Sequence, residues 1–180
     1  MRMGGKARIW RDNKLQGNDV FSDEIIDQFS HTAVLVSVLT PRYLNSEWCT
    51  KEVAEFCKCA EASGGMVVAN KARIFKVLKA PVDTQESLPQ VVQDVLGYEF
   101  FTIEDGAPLE LDSAYGEKFA QDYNRKVGKL AWDVSQLLKS LEHRHRRQRV
   151  MTNKTRPNRL SIWLNAVMTG SRPEKFSRAS

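Results

Sequence analysis

Short apolar runs and longer stretches with apolar residues every three or four positions alternate along this chain. Thr32-Ala-Val-Leu-Val-Ser-Val-Leu39 is almost continuously apolar, rich in β-branched residues and bounded by Pro41. Such a run predicts a strand buried on both faces, as in a parallel sheet. A helix is predicted directly after it. Ser46 can cap its free amides, Glu47 complements the positive end of its dipole, and Cys49, Val53, Phe56, Cys57 and Ala60 form one apolar stripe. Further helices are predicted at Phe21–Phe29, where Ser22, Asp23 and Glu24 precede Ile25, Ile26 and Phe29, and from Ser87-Leu-Pro89, with Val91, Val92, Val95 and Leu96 as its apolar face and Gly97 closing it. In the stretch from Gly116 to Glu142, Phe119, Tyr123, Val127, Leu130, Val134, Leu137 and Leu141 recur at spacings of four and three, which predicts one sustained core-facing stripe.

A chain of 180 residues, 42% of them apolar, suits one domain with a core. Its charge is divided unevenly. Residues 143–180 hold ten Lys and Arg against one acid, Glu174, a net +9, whereas residues 1–142 hold seventeen basic and twenty-one acidic residues, a net −4. The acidic body offers no basis for a nucleic-acid groove. The run from His143 to Arg149 reads either as a solvated, disordered extension or as an arm that binds nucleic acid or an anionic surface. The apolar patch Ile162–Met168 is far shorter than the roughly 20 residues needed to span a bilayer, so no transmembrane segment is expected, nor is a signal peptide. Cys49, Cys57 and Cys59 are odd in number and fall on one predicted helix, which points to a reducing, cytoplasmic setting. Cys57-x-Cys59 lacks zinc-ligand spacing, no metal is expected, and no phosphate loop, Gly-x-Gly-x-x-Gly or Gly-x-Ser-x-Gly motif is present.

The candidate chemistry lies in Thr40-Pro-Arg-Tyr43-Leu-Asn-Ser46-Glu-Trp48-Cys49-Thr-Lys-Glu52. Trp48 and Glu52 are four apart, hence together on the flank of the helix stripe, just beyond the carboxyl end of a strand where open α/β sheets bind ligands. By themselves they read as a surface glutamate beside a partly buried tryptophan. The ordered set Thr40, Tyr43, Ser46, Trp48, Cys49 and Glu52 resembles the signature of Toll/interleukin-1 receptor (TIR) domains, in the Trp-Cys-x-x-Glu form of bacterial and plant members. The flanks extend the resemblance. Ala7–Asp12 resembles the second strand, Asn13–Asp19 with Gly17 the loop after it, Phe21–Phe29 the second helix, Thr32–Leu39 the third strand, Ala72–Leu78 the fourth, Tyr98–Thr102 the fifth and Gly116–Glu142 the last helix. Strands alternating with helices imply right-handed crossovers, so the expected class is α/β: a flavodoxin-like parallel sheet with helices on both faces. The expected organisation is a TIR-like domain over residues 7–142 and a basic, disordered tail over 143–180.

Only Met1–Lys6 precede the second-strand segment, whereas a strand with its crossover helix needs about a dozen residues or more. The first βα unit, whose strand lies between the second and third strands in TIR domains, is therefore expected to be missing. The second and third strands must then pair directly, gape, or take a strand from another copy or chain.

The resemblance implies signalling, in the manner of innate immunity and defence, and an NAD nucleosidase (glycohydrolase) activity that releases nicotinamide, with NAD as substrate and no cofactor. Nicotinamide leaves as a neutral base from a cationic linkage, and one carboxylate can stabilise the oxocarbenium-like ribosyl centre. Glu52 is the candidate for that role. Trp48 either packs against base or ribose or only anchors its helix, and Phe21 with the loop from Gly17 is the other candidate substrate contact. Other TIR domains, including further copies, are the implied protein partners. Two alternatives stand beside the enzyme: a non-catalytic TIR–TIR interaction module, and an inactive remnant of a larger TIR protein. If the tail tethers the chain to polyanions, retention on heparin should fall with added salt and be lost when residues 143–180 are removed; equal elution of both forms would sink the idea.

Overall fold

The structure, a computed structural model, describes residues 8–10, 28–41, 47–82, 90–152 and 161–165. At its centre the apolar run forms β2 (Thr32–Leu39), buried at every residue but Val38. Beside it β5 (Ile74–Leu78) runs parallel, with Leu35 opposite Ile74, Ser37 opposite Lys76 and Leu39 opposite Leu78. A two-residue strand, β6 (Tyr98–Glu99), continues the sheet beyond β5. On the other side lie β9 (Ser161–Asn165) and then β1 (Arg8–Trp10), so the order is β1-β9-β2-β5-β6 with every pairing parallel. This is the expected flavodoxin-like α/β sheet.

The gap expected between the second- and third-strand segments is filled from within the chain. Residues 161–165 enter it, with Ile9 opposite Ile162 on one edge and Val34 opposite Ile162 and Val36 opposite Leu164 on the other. Ser161 Oγ donates to the carbonyl of His31, pinning the start of the strand. The segment Ser-Ile-Trp-Leu-Asn has the β-branched and aromatic content that suits a strand once two edges are waiting for it. The boundary expected at residue 142 is therefore corrected in two places. The last helix runs on to Thr152, and 161–165 belong to the sheet; residues 153–160 and 166–180 lie outside the described ones.

Helices cover both faces. On one, α1 (Glu47–Ala62) sets Val53, Phe56 and Ala60 against Leu35, Leu39 and Ile74, joined by Phe29 and by Val92 of the short α2 (Gln90–Gln93). On the other, Val134, Leu137, Leu138 and Leu141 of α3 (Glu117–Thr152) meet Val34, Val36, Phe75 and Val77, with Ile162 and Leu164 of β9 alongside. The apolar stripe of α3 reaches the core only in its second half. Phe119 is buried, but Tyr123 and Val127 are exposed, because the sheet ends before the helix does. Tyr123 is held instead edge-on to Phe100, ring centroids 5.4 Å apart.

Three further expectations are corrected in detail. The predicted strand at Ala72–Leu78 begins at Ile74, since β4 (Lys71–Ala72) turns back on β3 (Val67–Val68) as a hairpin whose tip, Ala69 and Asn70, has φ of 51° and 59°. The predicted strand at Tyr98–Thr102 is split between β6 and β7 (Phe101–Glu104), and β7 pairs with β8 (Ala107–Glu110) across the hairpin turn Asp105-Gly106. Of the helix predicted from Ser87, one turn, Gln90–Gln93, is described; it stops short of Val95 and Leu96, with Val92 buried and Leu96 exposed. Gly97, expected to close the helix, lies four residues past its end, where a Cβ would come within 2.8 Å of Leu78 Cδ1. Of the predicted Phe21–Phe29 helix only residues 28–30 are described, with Phe29 buried.

Removing residues 143–180 would also take β9 out of the sheet. Neutralising Arg144, Arg146 and Arg147, exposed near the end of α3, separates charge from fold in the heparin experiment.

One polar link joins the sheet edge to α3. Tyr98 Oη donates to Asp133 Oδ2 at 2.6 Å, and Lys129 Nζ lies 3.0 Å from the same oxygen. The hydrogen bond from Tyr98 holds the Asp133 carboxyl below its usual range, while burial, the bond and the carboxylate charge push the Tyr98 phenol up. A depressed carboxyl contributes stability above its unfolded value, about pH 4, and loses it as pH falls through the folded value; the raised phenol contributes below about pH 10 and loses it as pH rises. Tyr98→Phe should therefore cost about 1–2 kcal/mol near pH 7, measured by urea unfolding, and the difference from wild type should shrink at pH 3.

Candidate functional site

The sheet's carboxyl edge is set by the parallel strands, and the motif residues follow directly from it. β2 ends at Leu39, Thr40 is half-buried, and α1 begins at Glu47. Residues 42–46 lie between them and outside the described ones, as does Phe21; Trp48 lies on α1, with its side chain likewise outside the description. Of the three site residues expected from sequence, only Glu52 is placed in full.

Glu52 is buried, with 3% of its surface exposed, rather than sitting on an open helix flank. It lies next to Val53 and one turn before Phe56, at the edge of the stripe that faces β2, so close packing of α1 on the sheet draws it under cover. A buried carboxyl must be partnered, and Glu52 takes part in a polar or electrostatic interaction there.

The same sheet face carries a polar row between two apolar ones. Leu35 with Ile74 and Leu39 with Leu78 flank Ser37 with Lys76, since side chains two apart on a strand share a face. Lys76 is buried and its Nζ donates to the carbonyls of Val92 and Gln93, 3.1 and 3.4 Å away, at the end of α2. Burial pushes its ammonium down from the ordinary lysine value, with the Asp94 charge opposing that shift. Ser37 is 1% exposed and its hydroxyl has no hydrogen-bond partner among the described residues. Neither residue stood out in the sequence. The only signal was one polar residue inside each of two apolar strand runs.

Arg73, also buried, accounts for itself structurally. Its Nε donates to Ala33 O at 2.7 Å and one Nη to Thr32 O at 3.0 Å, fastening the start of β2. The other Nη reaches Ala60 O, Ser63 Oγ and Gly65 O at 3.2, 2.9 and 3.4 Å, closing the carboxyl end of α1. A fixed fork of five N–H donors suits this, and a cation suits the negative end of a helix. The guanidinium also sits 5.8 Å from the centroid of Phe56.

Cys57 and Cys59 are free and half-buried, and burial raises both thiols above the usual value, with Glu61 and Glu55 respectively adding to it. They remain protonated near neutrality and are poor nucleophiles. Among the described residues no group of three His, Cys, Asp or Glu could hold a metal ion, and no helix is long and apolar enough to cross a membrane.

Buried Glu52 thus stands on the first helix after the central strand, where that strand's carboxyl end delivers it. Residues 8–80 match the TIR domain family. The matched TIR segment takes in β1, β2, α1 and β5, and with them Glu52, while β6, α3 and β9 lie beyond it. Searches against curated proteins and against solved structures give no significant match.

Arg73 gives the sharpest stability test. Arg73→Leu leaves the carbonyls of Thr32 and Ala33 and the end of α1 without their buried donor, and should lower unfolding free energy by about 3 kcal/mol or more. Arg73→Lys keeps the charge but not the fork, and its denaturant midpoint should fall between the two.

Proposed function

We propose that this chain is a TIR-type signalling protein that cleaves the N-glycosidic bond of NAD, with Glu52 as the carboxylate that supports the reaction. The observation that carries the reading is the TIR match of residues 8–80, which contains the helix on which Glu52 is held at the carboxyl end of the central parallel strand. In this reading the bond between the ribosyl C1′ and the nicotinamide nitrogen breaks, its electron pair leaving with nicotinamide. Glu52 stabilises the positive charge that develops at C1′, and water adds there, its proton passing to solvent. ADP-ribose in linear form is the simplest product. Trp48 and Phe21 are the proposed substrate contacts, other TIR domains the proposed partners, and a cytoplasmic, defence-related role the proposed setting.

A second reading is a TIR-type interaction module without turnover. The burial of Glu52 favours it, because a carboxylate 3% exposed reaches a ribose only after the groups over it move aside. The two readings separate in one experiment. Turnover predicts nicotinamide release from NAD that falls at least about 100-fold in Glu52→Gln while the unfolding transition stays cooperative. An interaction module predicts no release from either form, with concentration-dependent self-association by light scattering that Glu52→Gln leaves unchanged.

A further inference from the structure

Among the described residues β1 has one neighbour in the sheet, and that neighbour is β9. Between β1 and β2 lies a slot with two unpaired strand edges, which must be filled by some strand if its amides and carbonyls are not to be stranded. Recognition in such a slot is mostly main-chain. The three pairs with β1 and the five with β2 would be made equally by the same segment of another copy.

The way β9 is delivered leaves that choice open. Arg144 donates to Gly64 O at 2.7 Å, just past the end of α1, and Arg73 binds both Gly65 O and Thr32 O, so this level is the amino-terminal edge of the sheet. α3 continues eleven residues further, about 16 Å, past Leu141, the last of its residues described as buried. Glu142, His143, Arg144, Arg146 and Arg147 along it are exposed. From Thr152 the eight residues 153–160, at most about 28 Å long, must bring the chain back to Ser161 at the sheet edge. β9 is therefore carried on an overhanging helix and a short tether.

We propose that the slot is an exchange site, in which β9 of one copy of this chain is seated between β1 and β2 of a second copy and the reciprocal seating gives a dimer. Charge fits that occupant. The overhang from His143 to Thr152 carries four arginines and no acid, whereas residues 1–142 carry a net −4, so the arm of one copy is drawn to the body of another. Since the paired contacts are the same within a chain and between chains, the balance is set by the tether, which supplies an effective concentration on the order of 1 mM when short. Dilution keeps the strand at home, and high concentration or a tether too short to return sends it across. The inference does not depend on NAD turnover.

The test uses the full chain with Thr32→Cys and Ser161→Cys, which are directly opposite in the ladder, and with Cys49, Cys57 and Cys59 replaced by alanine. Refolded at about 10 µM and at about 1 mM, on either side of expected tether strength, then oxidised, it should give links within single chains at the lower concentration and a several-fold larger share of disulfide-linked dimer at the higher. Ile162→Pro, which removes a ladder donor, should abolish those dimers. Deleting residues 155–158 from the otherwise unaltered chain should make the dimer persist on dilution, as read by light scattering. Links confined to single chains at both concentrations, dimers that survive Ile162→Pro, or a shortened chain that stays monomeric and unfolds cooperatively would each overturn the proposal.

Discussion

The fold depends on one main-chain constraint: a strand inside a parallel sheet must find hydrogen-bond partners on both edges. β1 and β2 are neighbours in sequence order but do not touch in the sheet, and Ser161–Asn165 satisfies both. Every other part of the architecture is organised around that fact. α3 has to cross the sheet, pack Val134 to Leu141 against β2 and β5, and then run past the sheet's edge before the chain can return as β9. The apolar side of β9, Ile162 and Leu164, then closes the layer under α3, so backbone pairing and side-chain burial point to the same placement.

The second organising element is electrostatic. Arg73 satisfies what would otherwise be a cluster of orphan carbonyls at the meeting of β2's start and α1's end. Its charge is stabilised by the helix terminus and by surrounding carbonyl dipoles, while burial and nearby Arg144 pull its proton affinity down. Lys76 repeats the device at the end of α2. Both cations therefore serve the fold.

The burial of Glu52 ties fold to function. A carboxylate that is covered at rest can act on a ligand only through a conformational step.

Local patterning settled a good deal. Continuous β-branched residues made Thr32–Leu39 a buried strand, periodicity made Glu47–Ala62 and the helix from Glu117 recognisable, and the Trp-Cys-x-x-Glu string picked out Glu52 before any coordinate did. These features were legible because each depends on residues within a few positions of one another. What depended on long-range pairing was not. Ile162-Trp-Leu looked like a patch in a basic tail because nothing near it in sequence supplies its two ladders, 128 and more residues away. Leu96, Tyr123 and Val127 have the right period for a core but stand where the sheet has ended, and Arg73, one cation before an apolar strand, gives no local hint that five acceptors converge on it. The amino-acid sequence by itself determined where the central strand and the two long helices would form, since propensity and periodicity are local. Only the tertiary structure decided which strand fills the sheet and how deeply Glu52 is covered, since both follow from edges and surfaces that meet only after folding.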